Sequence, residues 1–291
     1  MHIYDNDLRS FVSDFLLAGN AQSTADNYVA QLKKLREHVE GAITIRAVKD
    51  FQSDVQRRSP SVAYMASRAI RAFVKWYAKE YDQTDWSQSI DWCLPKEQKP
   101  QRTATEANGM ALLATCENDM RGRRDFAILA VFGSTSLRRS EMARMEWSDI
   151  DWDASTLTVP KSKSKKSRQV HLPREVIRAL RRHAIVLDEF KLRNGRHDYE
   201  DPWVWESFSC RGPLTPDGIT KMVVKRSRRA GVDVTPHSFR RGFAVRWLRE
   251  GGSEAYLMTA AGWTSSRMVG LYTKAVAEEA SITESQRIFG A

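Results

Sequence analysis

The chain has 291 residues, enough for two domains that each bury a core of their own. No apolar run approaches the roughly 18–20 residues needed to span a bilayer. The opening MHIYDNDLRS lacks the basic-then-apolar pattern of a secretory leader. Cys93, Cys116 and Cys210 are far apart, odd in number and without zinc spacing, which points to a reduced, cytoplasmic protein with no structural metal. The net charge is +10, yet the first 97 residues carry equal numbers of acidic and basic side chains. The whole excess therefore lies in the C-terminal two-thirds, where it favours a polyanionic partner, nucleic acid ahead of a membrane surface.

The first 95 residues read as helices. DLRSFVSDFLLAG has apolar residues at helical spacing and stops at Gly19, and STADNYVAQLKKLREHV opens on capping hydroxyls. Ile45–Arg57 reads as a third helix, and SVAYMASRAIRAFVKWYAKEY, after Pro60, completes a four-helix unit. Two prolines, charges and small polar residues without periodicity follow in LPKEQKPQRTAT, a linker signature placed at 96–104.

From 105 to 291 the pattern is mainly helical with a small sheet inserted. TATEANGMALLATCEN and RRDFAILAVFGSTSLRRSEMARME read as two helices. Short β segments come next, WSDIDWD, STLTVP and SRQVHLP, the last two flanking a very basic turn. Helices resume with REVIRALRRHAIVLDEFKLR, TPDGITKMVVKRSRRAG, TPHSFRRGFAVRWLREGG, SEAYLMTAAG and SRMVGLYTKA, and an amphipathic stretch runs on to Ile288. The fold class expected is mainly α with a small β-sheet: a helical N-terminal domain (1–95), a linker (96–104) and a mixed α/β domain (105–291) ending in a helix.

Four features could carry chemistry. In TPHSFRR, Thr235 caps and Pro236 takes the first helical position, so His237 and Arg240 share one face of the first turn, beside free N–H groups that suit an anion. In SLRRSE, Glu141 follows Arg138 by three residues and can hold its guanidinium toward a phosphate. Lys161, Lys163, Lys165, Lys166 and Arg168 cluster around the basic turn, where a lysine can act as a proton donor and its neighbours can neutralise backbone phosphates. Finally, Trp263 precedes Tyr272 by nine residues, and a phenol can serve as a nucleophile once deprotonated. Taken singly, each has a plain alternative: a solvated basic turn, a surface ion pair, core aromatics. No Gly-x-x-x-x-Gly-Lys loop supports ATP-driven chemistry, and no His-Glu-x-x-His or acidic cluster supports metal-dependent cleavage. What is left is metal-free phosphoryl transfer through a covalent phosphotyrosine, with no cofactor.

The ordered set resembles the tyrosine recombinase, or phage integrase, family of site-specific DNA recombinases. SLRRSE resembles its first arginine box, SKSKKSRQVHL its β-hairpin lysine segment, HSFRRGFA its His-x-x-Arg box, and AGWTSSRMVGLY its final box. Ser136 stands where the family usually has glycine, Phe239 where leucine is commoner, and Trp263 where histidine is commoner. The resemblance implies a SAM-like core-binding domain at the N-terminus and a catalytic domain after it. It also implies roles: Tyr272 attacks the scissile phosphate, Arg138 and Arg240 clamp its oxygens, His237 takes the tyrosine proton, and Trp263 packs on or donates to the phosphate site. Lys163 protonates the leaving oxygen, with Lys161 and Lys165 as alternatives, and Glu141 supports the site without touching DNA.

The partners so implied are double-stranded DNA core sites bound by a homotetramer on two duplexes, in a bacterial cytoplasm and nucleoid. Lys33, Lys34, Arg68, Arg71 and Lys75 are candidate phosphate contacts of the N-terminal domain, beside Lys161, Lys165, Lys166 and Arg168 of the hairpin. Helices that begin close to Met1 leave no room for an additional arm-binding domain, so recognition of core sites alone is expected. The tail AVAEEASITESQRIFGA is expected to dock on a neighbouring subunit or to cap its own. A type IB topoisomerase and an inert helical DNA-binding regulator are the rival readings.

Overall fold

Four helices fill the N-terminal part because apolar side chains recur there at helical spacing. In a computed structural model, which describes residues 1–39, 41–93, 102–160, 167–195, 201–208 and 212–289, they are α1 (Asp5–Leu17), α2 (Gln22–His38), α3 (Ile45–Arg58) and α4 (Pro60–Glu80). α2 starts at Gln22 behind Ala21, so the hydroxyls expected to cap it, Ser23 and Thr24, lie within its first turn and do not cap it. Of Arg267, Leu271, 274–280, 283, 284 and 287 only the backbone is described. The chain divides into two compact units, Met1–Lys99 and Pro100–Ala291.

In the first unit Leu8, Phe11, Tyr28, Leu32, Leu35, Val48, Phe51, Ile70 and Phe73 form one core. Thr44 caps α3 by accepting from the Ala47 N–H at 3.2 Å, and Pro60 occupies the first turn of α4, where its missing donor does no harm. Buried Asp7 accepts from the Tyr4 N–H at 2.9 Å and from the Tyr81 hydroxyl at 2.7 Å, fastening the start of α1 to the end of α4. Gln52 donates to Ser67 Oγ at 2.7 Å and to the Asp91 carbonyl at 2.9 Å, so the chain leaving α4 is held against α3.

The second unit contains α5 (Glu106–Ala114), α6 (Met120–Ser134), α7 (Arg139–Ala143), β1 (Ile150–Asp151), β2 (Thr156–Val159), β3 (Arg168–His171), α8 (Arg174–Arg193), α9 (Pro216–Arg229), α10 (Pro236–Arg249), α11 (Glu254–Ala261) and α12 (Ser266–Phe289). α6 is fully engaged, packing on α8, α5 and α10, with Ile128, Val131 and Phe132 completely buried. The strands form an antiparallel sheet in the order β1–β2–β3, with Leu157 opposite Val170 and Val159 opposite Arg168. A satellite core of Ala244, Leu257, Ala261, Trp263, Val269 and Tyr272 joins α10, α11 and α12. No helix of the described residues is long and apolar enough to cross a membrane.

Three further expectations are revised. The helix expected over 123–146 is two helices, because Thr135 turns extended and Arg138, also extended, opens α7 as its cap residue. WSDIDWD is mostly a 3-10 turn, Trp147–Asp149, followed by the two-residue β1. The segment after Ser266 is one continuous helix to Phe289 rather than two pieces.

Residues 102–104, expected in the linker, lie on α10. The Ala104 N–H donates to the Ser238 carbonyl at 3.0 Å, Arg241 donates to the Arg102 carbonyl at 3.1 Å, and Arg102 pairs with Asp233 at 2.7 Å. Gly242 permits that crossing, since a Cβ there would stand 2.1 Å from the Ala104 carbonyl oxygen.

Candidate active site

α10 begins as its sequence predicts. Thr235 caps it, exchanging bonds with Ser238, and Pro236 occupies the first turn. His237 is thereby left exposed at the rim of an open cavity of about 620 Å³, and Arg240, one turn on, forms part of its wall. Arg138, at the break between α6 and α7, lines the same cavity together with Arg139 and Trp263. Four of the expected site residues, Arg138, His237, Arg240 and Trp263, thus meet around one space.

The C-terminal end of α11 organises the arginines. Its last carbonyls have no helical partner and carry the negative end of the helix dipole. Gly262, left-handed at φ +60°, ends the helix and turns these carbonyls toward the cavity wall. The Ala260 carbonyl accepts from Arg168 Nε at 2.9 Å and from Ser136 Oγ at 2.9 Å. The Ala261 carbonyl accepts from Arg240 Nη2 at 2.5 Å, and the Gly262 carbonyl from Arg138 Nη2 at 3.0 Å. Arg240 Nη1 also donates to the Ser136 carbonyl. Ser136, unusual for the family at this position, therefore joins the network through both its hydroxyl and its carbonyl.

Glu141 is the only carboxylate hydrogen-bonded into this cluster among the described residues. Its Oε1 accepts from Arg138 Nη1 at 2.7 Å and Arg168 Nη1 at 3.1 Å. Its Oε2 accepts from the Arg138 N–H at 2.8 Å and Arg168 Nη2 at 2.8 Å. Burial alone would raise the Glu141 carboxyl, but the hydrogen bonds from Arg168 and Arg138 prevail and hold it down at about 2. Arg240, almost wholly buried, is pushed down to about 10 by that burial and then by the charge of Arg138, and it stays a cation at neutral pH. The His237 imidazole lies below its ordinary value because surrounding protein partly desolvates it and Arg241, Arg240 and Arg138 repel a further proton. It is exposed to solvent yet kept neutral by its neighbours.

Tyr272 does not line the cavity. It is 6 % exposed, and its ring lies parallel to that of Trp263 at 5.2 Å and 5°. Trp263 in turn has the Arg240 guanidinium carbon 5.1 Å from its ring centroid. Trp263 thus touches both the expected nucleophile and the expected phosphate clamp.

Lys161, Lys163, Lys165 and Lys166 lie outside the described residues. Arg168, expected to contact DNA beside them, is turned inward: its side chain is 10 % exposed and all three guanidinium nitrogens are bonded to protein. The alternation of β3 accounts for this, since Arg168 shares a face with buried Val170 two residues on. That signal was present in SRQVHLP, where the neighbouring basic run masked it. In the N-terminal unit Lys33, Lys34, Arg68 and Lys75 are exposed. Arg71 is engaged internally, donating to the Ile90 carbonyl at 2.6 Å and Gln88 Oε1 at 2.8 Å and lying over Trp92 at 4.5 Å.

A cavity lined by three arginines, a histidine and a tryptophan, with a tyrosine stacked on the indole, is chemically suited to an anion such as phosphate and has a phenol nearby. Residues 102–279 match the model of the phage integrase family. The chain is 24 % identical over 275 residues to the tyrosine recombinase XerA of Pyrococcus furiosus, covering 93 % of this chain and 90 % of that one. It is 26 % identical over 239 residues to the tyrosine recombinase XerD of Caulobacter vibrioides, covering 80 % and 77 %. Among solved structures, the Tn1549 transposon integrase in complex with transposon right end DNA superposes with a TM-score of 0.73 at 16 % identity, over 98 % of this chain and 99 % of that one. A lambda integrase dimer bound to a core site does so at 0.69 and 16 % identity, over 92 % and 94 %. The chain belongs to the phage integrase family, whose members are tyrosine recombinases.

Proposed function

We propose that this chain is a site-specific recombinase that cuts and rejoins duplex DNA through a 3′-phosphotyrosine, using neither metal nor nucleotide. The observation that carries the reading is the convergence of Arg138, His237 and Arg240 on one cavity lined by Trp263, with Tyr272 stacked on that indole. With the scissile phosphate in the cavity, Arg138 and Arg240 neutralise its non-bridging oxygens and the charge that grows on them as the phosphorane forms. Tyr272 moves off the Trp263 ring and attacks phosphorus while neutral His237 accepts the phenolic proton. The new O–P bond replaces the bond to the 5′-oxygen, which leaves as a hydroxyl after taking a proton from Lys163, with Lys161 and Lys165 as the other donors the sequence offers. A 5′-hydroxyl from a second duplex reverses the steps and reseals the strand, so bond energy is conserved and no ATP is needed.

The substrate so read is a pair of core sites, held by a tetramer on two duplexes, with the tail that follows Lys274 docked on a neighbour or capping its own subunit. The lambda integrase tetramer solved on a Holliday junction, which superposes with a TM-score of 0.65 over 89 % of this chain and 77 % of that one, supports that assembly. Lys33, Lys34, Arg68 and Lys75, with the hairpin lysines, are the proposed phosphate contacts, and Arg71 acts by fixing Trp92. A mobile element is the proposed cargo, and a two-domain division near residues 96–104 the proposed organisation. The test is covalent trapping on a nicked duplex chosen by binding from a random-sequence pool. Wild type forms a DNA-linked species and Tyr272→Phe forms none while still binding. If Tyr272→Phe still cross-links, another residue is the nucleophile.

A further inference from the structure

We propose that Arg168 is a positioning residue for phosphate binding: it neutralises and fixes Glu141, so that Arg138 keeps its positive charge and its orientation for the DNA. The inference rests on the recombinase reading above and adds to it a third arginine that never meets the substrate.

Glu141 accepts four hydrogen bonds, two on each oxygen, one of each pair from Arg138 and one from Arg168. The two arginines differ in exposure. Arg138 is 35 % exposed and faces the cavity, whereas Arg168 and Glu141 are 10 % and 8 % exposed. If Arg138 were the sole partner of that carboxylate, their charges would cancel, and an entering phosphate would compete with Glu141 for the guanidinium. Arg168 removes the competition. It engages both Glu141 oxygens side by side, a geometry for which the planar guanidinium fork is suited and an ammonium is not. Its Nε, bonded to the Ala260 carbonyl, fixes the fork to the same helix end that receives Arg240 and Arg138. Gly262 keeps that fit close, since a Cβ there would lie 3.0 Å from Arg168 Nη1. A purely structural cross-link between β3 and α7 would not need to carry charge. A charge-compensating one does, and that difference can be measured.

The experiment compares single-turnover formation of the covalent complex by the full chain on the nicked, binding-selected duplex and on the same duplex with an uncharged methylphosphonate at the cleaved linkage. Arg168→Ala slows cleavage of the phosphate by about 10- to 100-fold, the range found when the partner that orients a functional side chain is removed, with DNA binding nearly unchanged. Arg168→Lys, which keeps the charge but cannot hold both oxygens, falls between Arg168→Ala and wild type; it carries the same test should Arg168→Ala fail to fold. Glu141→Gln added to Arg168→Ala causes no further loss, because the charge that Arg168 offsets has gone. On the methylphosphonate, where methyl replaces one of the two non-bridging oxygens and less negative charge requires clamping, the deficits of Arg138→Ala and Arg168→Ala shrink together. Arg168→Ala cleaving like wild type while Arg138→Ala is impaired overturns the proposal. So does a deficit of Arg168→Ala that persists on the methylphosphonate where that of Arg138→Ala disappears. Normal phosphate cleavage by Arg138→Ala overturns the underlying assignment of the clamp, and this inference with it.

Discussion

His237 shows how a single residue is set for its role by what surrounds it. Desolvation and the charges of Arg241, Arg240 and Arg138 all disfavour imidazolium, so the ring is neutral at neutral pH and has a lone pair free to accept a proton. A base with a depressed value keeps its neutral form to lower pH than usual. Covalent-complex formation should therefore rise along an acid limb whose midpoint lies below the ordinary 6.5, and His237→Ala should flatten that limb. A midpoint above 6.5 would mean that a phosphate-like negative charge, and not the arginines, governs the ring. Arg240, held at about 10, remains charged over that whole range and contributes no second inflection there.

At the scale of elements, the site depends on where helices stop. Three arginines, from the cap of α7, from β3 and from α10, find carbonyl partners at the end of α11, and that negative helix pole, with the Glu141 carboxylate, offsets the positive charge of the cluster. Little of this could be read from the sequence. Arg138, His237, Arg240, Trp263 and Tyr272 stood out through the order and spacing of motifs that are each weak alone, and the first four do meet around one cavity. The Thr-Pro start of α10 was legible as a cap. The carbonyls that receive the arginines carry no side-chain signature, and partners such as Arg168 and Ala260 are 92 positions apart. The break before α7 was missed because the apolar periodicity of 123–134 appeared to run on through Leu137, although Ser134, Thr135 and Ser136 in a row favour a stop. Gly242 offers a test of the packing that carries the site. Gly242→Ala drives a methyl into the Ala104 carbonyl oxygen, a backbone atom that cannot step aside, and should destabilise by about 1–3 kcal/mol. Gly109→Ala, within α5 and facing open space, should instead gain roughly 0.5–1 kcal/mol from helix propensity alone. Thermal unfolding of the two variants in opposite directions supports the close crossing; equal shifts contradict it.

For the molecule as a whole, the two compact units have separate cores, and their titrating groups respond to acid in different pH windows. His183 lies fully buried in the second unit, its ring 5.3 Å from that of Trp205 and 6.1 Å from that of Trp147, with Nε2–H donating to the Val204 carbonyl at 2.8 Å. Burial, aided by the charge of Arg124, pushes it down to about 4. The unfolded chain binds that proton near 6.5 and the folded chain does not until about 4, so stability is lost as pH falls through this interval, by up to about 3 kcal/mol. Glu141, held at about 2 against an ordinary 4.5, adds a further loss below 4.5, while Asp149, raised by burial, offsets a little of it. In the first unit the described carboxyls held below their ordinary value are the exposed Asp5 and Asp85, which weaken it only as pH falls below 3.8. Between pH 6.5 and 4.5 the second unit should thus lose stability alone. Calorimetry should then show one melting transition separating into two, the lower one following His183, and His183→Phe should remove most of that pH dependence at the expense of the Val204 hydrogen bond. A single transition that moves intact across this range would instead mean that the units unfold as one body and that His183 takes up its proton without opening the Trp147–Trp205 stack.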